Sequence, residues 1–135
     1  MGRPNLEILW RAGGWLALAS VAGLTVVLIM TSSFDAAAIL AFPFVVTWVA
    51  APIVGAAAFV GASSTHTGAI AFLVAEVSLM VSTAWLIVRQ LYLYPGPLSG
   101  VVFIPWPVAQ WVVLGVVFLA ALLFGWRMRP DFLRD

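Results

Sequence analysis

The chain contains no cysteine and no lysine among its 135 residues, and only 8% of its residues are charged. The absence of cysteine excludes disulfides, thiolate nucleophiles and cysteine-ligated zinc or iron–sulfur centres. A net charge of +1 provides no electrostatic footprint for nucleic acid, and a single histidine is a poor basis for a haem site. We therefore expect no cofactor, no metal and no nucleic-acid partner.

Apolar residues, by contrast, make up 64% of the sequence. They form four runs with almost no charge, over residues 13–30, 36–60, 69–88 and 108–126. A transmembrane helix needs roughly 20 mainly apolar residues to cross about 30 Å of hydrocarbon. The pattern predicts an all-α integral membrane protein in which residues 1–135 form one domain, a four-transmembrane-helix antiparallel bundle.

The arginines predict the orientation of these spans, because cytoplasmic flanks carry the excess of positive charge. Four spans place both termini on one side of the membrane. That side holds five arginines and the other holds only Arg89; the five are Arg3, Arg11, Arg127, Arg129 and Arg134. We therefore expect a multi-pass protein of the cell (inner or plasma) membrane with both termini in the cytoplasm.

Tryptophan and tyrosine favour the headgroup level of a bilayer, where an apolar ring and a polar edge are both accommodated. An inner belt is predicted at Trp10, Trp15 and Trp126. An outer belt is predicted at Trp85, Tyr92, Tyr94, Trp106 and Trp111. Trp48 fits neither belt, so its indole N–H is expected to find a partner inside the bundle.

Glycine and proline predict three local features. Gly13 and Gly14 are expected to turn the chain inward after a short interfacial helix that Asn5 caps. Pro43 and Pro52 are expected to kink the second helix, since each removes a backbone donor. Residues 89–107 hold four prolines among apolar and aromatic side chains, which predicts a proline-rich loop at the outer interface.

Glu76 is the one ionisable residue well inside a predicted span. A charged group at mid-membrane is costly, so such a residue usually faces the bundle, a partner or water. Counting residues from the span ends places Ser20 and the proline-disturbed segment at the same depth. The candidate site therefore comprises Glu76 and Ser20 together with Thr47, Trp48 and Pro52.

Two functions of different class fit this sequence, which carries no catalytic constellation. With few polar groups in its spans and little chain outside them, the protein is expected to be an accessory subunit of a larger membrane complex. There Glu76 would be hydrogen-bonded to a neighbouring helix or paired with an arginine of another subunit. The alternative is a proton-coupled small transporter or channel that acts as a homo-oligomer through Glu76. His66 is expected to be solvated, Asp35 to cap a helix, and Gln110 to form hydrogen bonds at the outer interface.

Overall fold

A computed structural model of the chain describes residues 3–31, 35–93 and 103–124. These residues form four long helices: α1 (Arg3–Thr31), α2 (Ala36–Ala62), α3 (His66–Val88) and α4 (Pro105–Leu123). Each of the four is long and apolar enough to cross a membrane, as judged by length and composition. This confirms the all-helical architecture and the four long apolar helices that the apolar runs predict.

The packing of the side chains shows how the helices alternate in direction. One apolar cluster joins the beginning of α1, the end of α2, the beginning of α3 and the end of α4, with Leu9, Val60, Phe72 and Ala121 among its members. We call this the N-terminal end of the bundle. A second cluster, which includes Leu24, Val49, Ile87 and Phe103, lies toward the opposite end. Helices α2 and α3 each contact all three other helices.

The first helix corrects one prediction, because the chain does not turn at Gly13 and Gly14. Helix α1 runs without interruption from Arg3 to Thr31. Glycine permits a turn but does not require one, and a helix also uses glycine where another element approaches closely. Gly13 is used in this second way, as its contacts below show.

The second helix contains both of its prolines without a break, since α2 is continuous from Ala36 to Ala62. The kink expected at Pro43 and Pro52 remains a prediction.

The connection from α2 to α3 is short, and Thr65 caps α3: its side-chain oxygen accepts a hydrogen bond from the Gly68 N–H at 3.2 Å. Helix α3 consequently begins at His66, three residues before the predicted span.

The connection between α3 and α4 is shorter than the sequence predicts. The chain continues from α3 into a π-helical turn over Arg89–Leu93, and α4 begins at Pro105. Pro105 and Pro107 therefore belong to the first turn of α4, where proline is tolerated because the N–H it lacks would have no helical acceptor. The remainder of the predicted proline-rich loop, residues 94–102, lies outside the described residues.

Candidate functional site around Glu76

Glu76 lies on the buried stripe of α3. The stripe includes Phe72, Glu76, Leu79 and Thr83, which recur at helical spacing, and the side chain of Glu76 is 0% exposed. Leu73 and Met80 flank the stripe and are partly buried. The carboxyl group of Glu76 accordingly points into the bundle.

Helix α1 packs directly against the Glu76 carboxyl group because Gly13 has no side chain. A Cβ atom added at Gly13 would lie 3.1 Å from Glu76 Oε2 and 3.4 Å from the side chain of Val60. Three helices thus meet at one layer, with Gly13 from α1, Val60 from α2 and Glu76 from α3. We call these three residues the Glu76 layer.

The Glu76 layer lies closer to the N-terminal end of the bundle than the sequence predicts. Val60 is two residues before the end of α2, and Gly13 is two residues after Arg11. Side chains on a helix lean toward its N-terminus, which brings the carboxyl group of Glu76 further toward that end. The carboxyl group of Glu76 is therefore displaced toward the N-terminal end of the bundle and is fully buried there.

Neither carboxyl oxygen of Glu76 has a hydrogen-bond partner within residues 3–31, 35–93 and 103–124. The nearest arginine along α1, Arg11, is bound to Glu7 at 2.7 Å on the exposed face of its helix. An ionised carboxylate in this enclosure would bear the cost of desolvation with no compensating bond. The carboxyl group of Glu76 is therefore surrounded by apolar groups and does not belong to a network of hydrogen bonds among the described residues.

The residues predicted to share a layer with Glu76 lie elsewhere. Ser20 lines a groove with Ile53, Met80 and Thr83, about one to two helical turns further along α3. The Ser20 hydroxyl donates to the Leu16 carbonyl of its own helix at 2.8 Å. The layer inferred for Ser20 and the second helix therefore exists, but it contains Met80 and Thr83 where Glu76 was expected.

The proline-disturbed segment of α2 is split between the interior and the surface. Pro52 is buried, whereas Thr47 is exposed and lines an outer groove. Trp48 is partly exposed, and its Nε1–H donates to the carbonyl oxygen of Ile104 at 3.1 Å. The indole N–H of Trp48 therefore has a partner in the same chain, but this bond lies at the exposed surface and not inside the bundle as expected. It joins α2 to the residue before α4.

The predicted outer belt is only partly within the described residues. Tyr92 lies in the π-helical turn and is exposed, and Tyr94 is outside the described ranges. Trp106 is half-buried, and its Nε1–H lies 3.5 Å from Thr83 Oγ1. Trp106 thus contributes to the contact between α3 and α4 in addition to any role at an interface.

Gln110 is the residue whose role the sequence did not reveal. It is 3% exposed, and its Nε2 lies 2.8 Å from Thr83 Oγ1, 3.2 Å from the Leu79 carbonyl and 3.3 Å from Ser82 Oγ. The spacing of Trp106 and Gln110 by four residues, opposite a stripe that carries Thr83, is the signal that could have indicated it. We call this set of contacts the Gln110 clamp.

No protein-family model, no curated protein and no solved structure matches this chain. Within the described ranges, no group of three or more histidine, aspartate or glutamate residues is placed to hold a metal ion. The function must therefore be inferred from the arrangement of the side chains themselves.

Proposed function

We propose that the protein is an accessory, structural subunit of a larger membrane complex, in the cell membrane with both termini in the cytoplasm. Support comes from the way several of its polar side chains are used, since they bond within the chain. Gln110 and Trp48 join helices of the same chain. The hydroxyls of Ser20, Ser63 and Ser78 each donate to the carbonyl four residues earlier.

The observation that carries the proposal is the enclosure of Glu76. Four grooves open between the described helices, and Glu76 lines none of the four. A carrier needs its titrating group to alternate between two sides, or at least to reach water from one. A group packed against Gly13 and Val60 meets neither condition in this conformation. What the protein offers to other molecules is its surface.

That surface is suited to contact with other apolar surfaces. Large apolar side chains are exposed on all four helices, among them Trp15, Phe44, Val81 and Leu123. In a membrane such side chains face lipid or another subunit. One apolar groove of about 470 Å³ is bounded by α1, α2 and the segments before and after the α3–α4 connection, with Leu28, Phe44 and Ile104 in its walls.

The test is purification under mild conditions. We expect a tagged copy, expressed at its natural level and extracted in a mild detergent, to co-purify with larger membrane proteins in fixed stoichiometry. Mixing isotopically labelled and unlabelled membranes before extraction provides the control, because only partners bound before extraction share the label of the tagged chain. Migration of the protein alone, as a small particle free of other proteins, would contradict the proposal.

A second candidate function, a proton-coupled transporter or channel that acts as a homo-oligomer, is favoured by one observation. Both oxygens of Glu76 lack a partner among the described residues, and an unsatisfied buried polar group in a folded protein calls for an explanation. A second conformation in which α1 moves away at Gly13 would open the carboxyl group to water. Because this candidate requires a movement and the first does not, we rank it second.

A further inference from the structure

A groove on the outer surface of α1 and α2 begins beside a pair of charges. At its N-terminal end it encloses about 620 Å³, with Trp10, Arg11, Gly14 and Trp15 on the α1 side. This volume is within the range of about 300–1,000 Å³ that is usual for small-molecule sites. We call it the α1–α2 groove.

The α1–α2 groove has several alanine and glycine residues in its walls and continues along α2. Ala57 and Ala58 lie in its first part, and Ala50, Ala51 and Gly55 lie in its continuation. The two parts share Val21, Val54 and Ala58. From Ala58 to Val46 the groove follows α2 for about 18 Å at helical rise, which is slightly more than half of the roughly 30 Å hydrocarbon thickness.

The charges at the entrance form a balanced pair. Arg11 lines the groove, and its guanidinium is bound to the Glu7 carboxylate at 2.7 Å with both side chains exposed. Trp15 is 71% exposed beside them. Arg11 and an exposed indole therefore lie at this end of the groove, and the Glu7 carboxylate is bound to Arg11 one helical turn earlier. Such a combination is typical of side chains at the headgroup level.

We propose that the α1–α2 groove binds one phospholipid with a zwitterionic, primary-amine headgroup, with an acyl chain along α2. Arg11 contacts the lipid phosphate, because guanidinium groups recognise phosphate with paired donors. Glu7 accepts from the ammonium group. An anionic lipid such as phosphatidylglycerol carries the same phosphate for Arg11 but no ammonium group for Glu7. Its net negative charge therefore remains uncompensated beside the Glu7 carboxylate, and the charge pair favours the zwitterion.

The experiment uses native mass spectrometry of the delipidated full-length protein, titrated separately with phosphatidylethanolamine, phosphatidylglycerol and phosphatidylcholine of equal chain length. We expect phosphatidylethanolamine to bind in a ratio of one per chain and about fivefold more tightly than phosphatidylglycerol, the factor expected for one surface charge. Phosphatidylcholine, whose quaternary amine cannot donate a hydrogen bond, should bind more weakly than phosphatidylethanolamine.

Two variants test separately how the headgroup contacts and the groove contribute to lipid binding. Glu7→Gln removes the negative charge and should reverse the preference in favour of phosphatidylglycerol. Gly14→Leu places a large side chain in the groove, at a position where a Cβ meets nothing within 4 Å, and should abolish binding of all three lipids. The matched control is Gly115→Leu on α4, where a Cβ also meets nothing within 4 Å and binding should be unchanged.

Equal binding of the three lipids to the wild-type protein would overturn the proposal. Unchanged lipid binding in Gly14→Leu would also overturn it. So would a dimer of the wild-type protein that Gly14→Leu disrupts but added lipid leaves intact, since a second copy of the chain would then occupy the groove. Each of these results is independent of whether the protein co-purifies with larger subunits.

Discussion

At the scale of single residues, the Glu76 layer combines a glycine, a valine and a carboxyl group in one contact. Gly13 lets α1 approach within van der Waals distance of the Glu76 side chain. The approach seals the carboxyl group, which the described residues leave without a hydrogen bond. The packing of α1 against Glu76 stabilises the fold, whereas a buried carboxyl group without a hydrogen bond destabilises it. Substitution of Glu76 measures the net effect.

Replacing Glu76 by an apolar side chain of similar shape should stabilise the protein. We expect Glu76→Met to raise the free energy of unfolding in mixed micelles by about 1–3 kcal/mol, the usual cost of an unsatisfied buried polar group. Methionine is unbranched and adapts to the space that glutamate leaves. The control is Glu76→Gln, which keeps polar atoms in the same place and should gain little. A loss of stability in Glu76→Met alone would mean that the carboxyl group has a partner in the native protein.

The same two variants distinguish the candidate functions after reconstitution into liposomes. For an accessory subunit, the wild-type protein and both variants should show the same low proton flux as protein-free vesicles. A proton flux in the wild-type protein that Glu76→Gln and Glu76→Met abolish would instead select the transporter.

At the scale of helices, the sequence predicts the number of elements and the buried face of α3 but not where the elements begin and end. Gly13 and Gly14 suggested a turn, yet both lie inside α1. The use of Gly13 depends on the packing of Val60 and Glu76 against it. Pro105 suggested a loop, yet it starts α4. In both cases the deciding factor is a contact or a position in a turn, which residue type alone does not specify.

The neighbours expected for Glu76 were placed at the wrong depth for the same reason. Counting from assumed span ends put Ser20 beside Glu76, whereas α3 begins at His66 and the chain places Gly13 there. The Gln110 clamp was missed because it depends on the register between α3 and α4, which is set by packing of side chains far apart in the sequence.

The Gln110 clamp should hold α4 to α3 with a measurable coupling energy. Gln110→Leu and Thr83→Val each remove one side of the 2.8 Å contact, and a double-mutant cycle isolates the interaction between them. Hydrogen bonds between membrane helices contribute about 0.6 kcal/mol on average and about 1.7 kcal/mol at most. We expect a coupling in the upper half of that range, measured by unfolding in mixed micelles.

The matched control for this cycle pairs Gln110→Leu with Ser78→Ala, since Ser78 bonds only to its own helix at Val74. That pair should be additive. A coupling near zero between Gln110 and Thr83, with additivity in both cycles, would show that apolar packing alone joins the two helices.

At the scale of the whole molecule, four apolar helices are joined by contacts within the chain and present apolar side chains to their surroundings. The lengths of the helices agree with this description. Helix α1 has 29 residues, about 43 Å at helical rise, whereas α4 has 19, about 28 Å. Because charged side chains are costly in hydrocarbon, we expect the excess length of α1 to place its first turns, with Glu7 and Arg11, outside the roughly 30 Å of hydrocarbon.

The central claim is that the four helices cross a bilayer in alternating directions, and single cysteines test it most directly because the natural chain has none to interfere. Asp35 precedes α2, His66 begins α3, and Val81 is an exposed side chain within α3. In intact cells, a membrane-impermeant maleimide should label Asp35→Cys at once and His66→Cys only after the membrane is broken, whereas Val81→Cys should remain unlabelled in both conditions. Labelling of His66→Cys from outside would reverse the orientation, and labelling of Val81→Cys in unbroken membranes would contradict the transmembrane account itself.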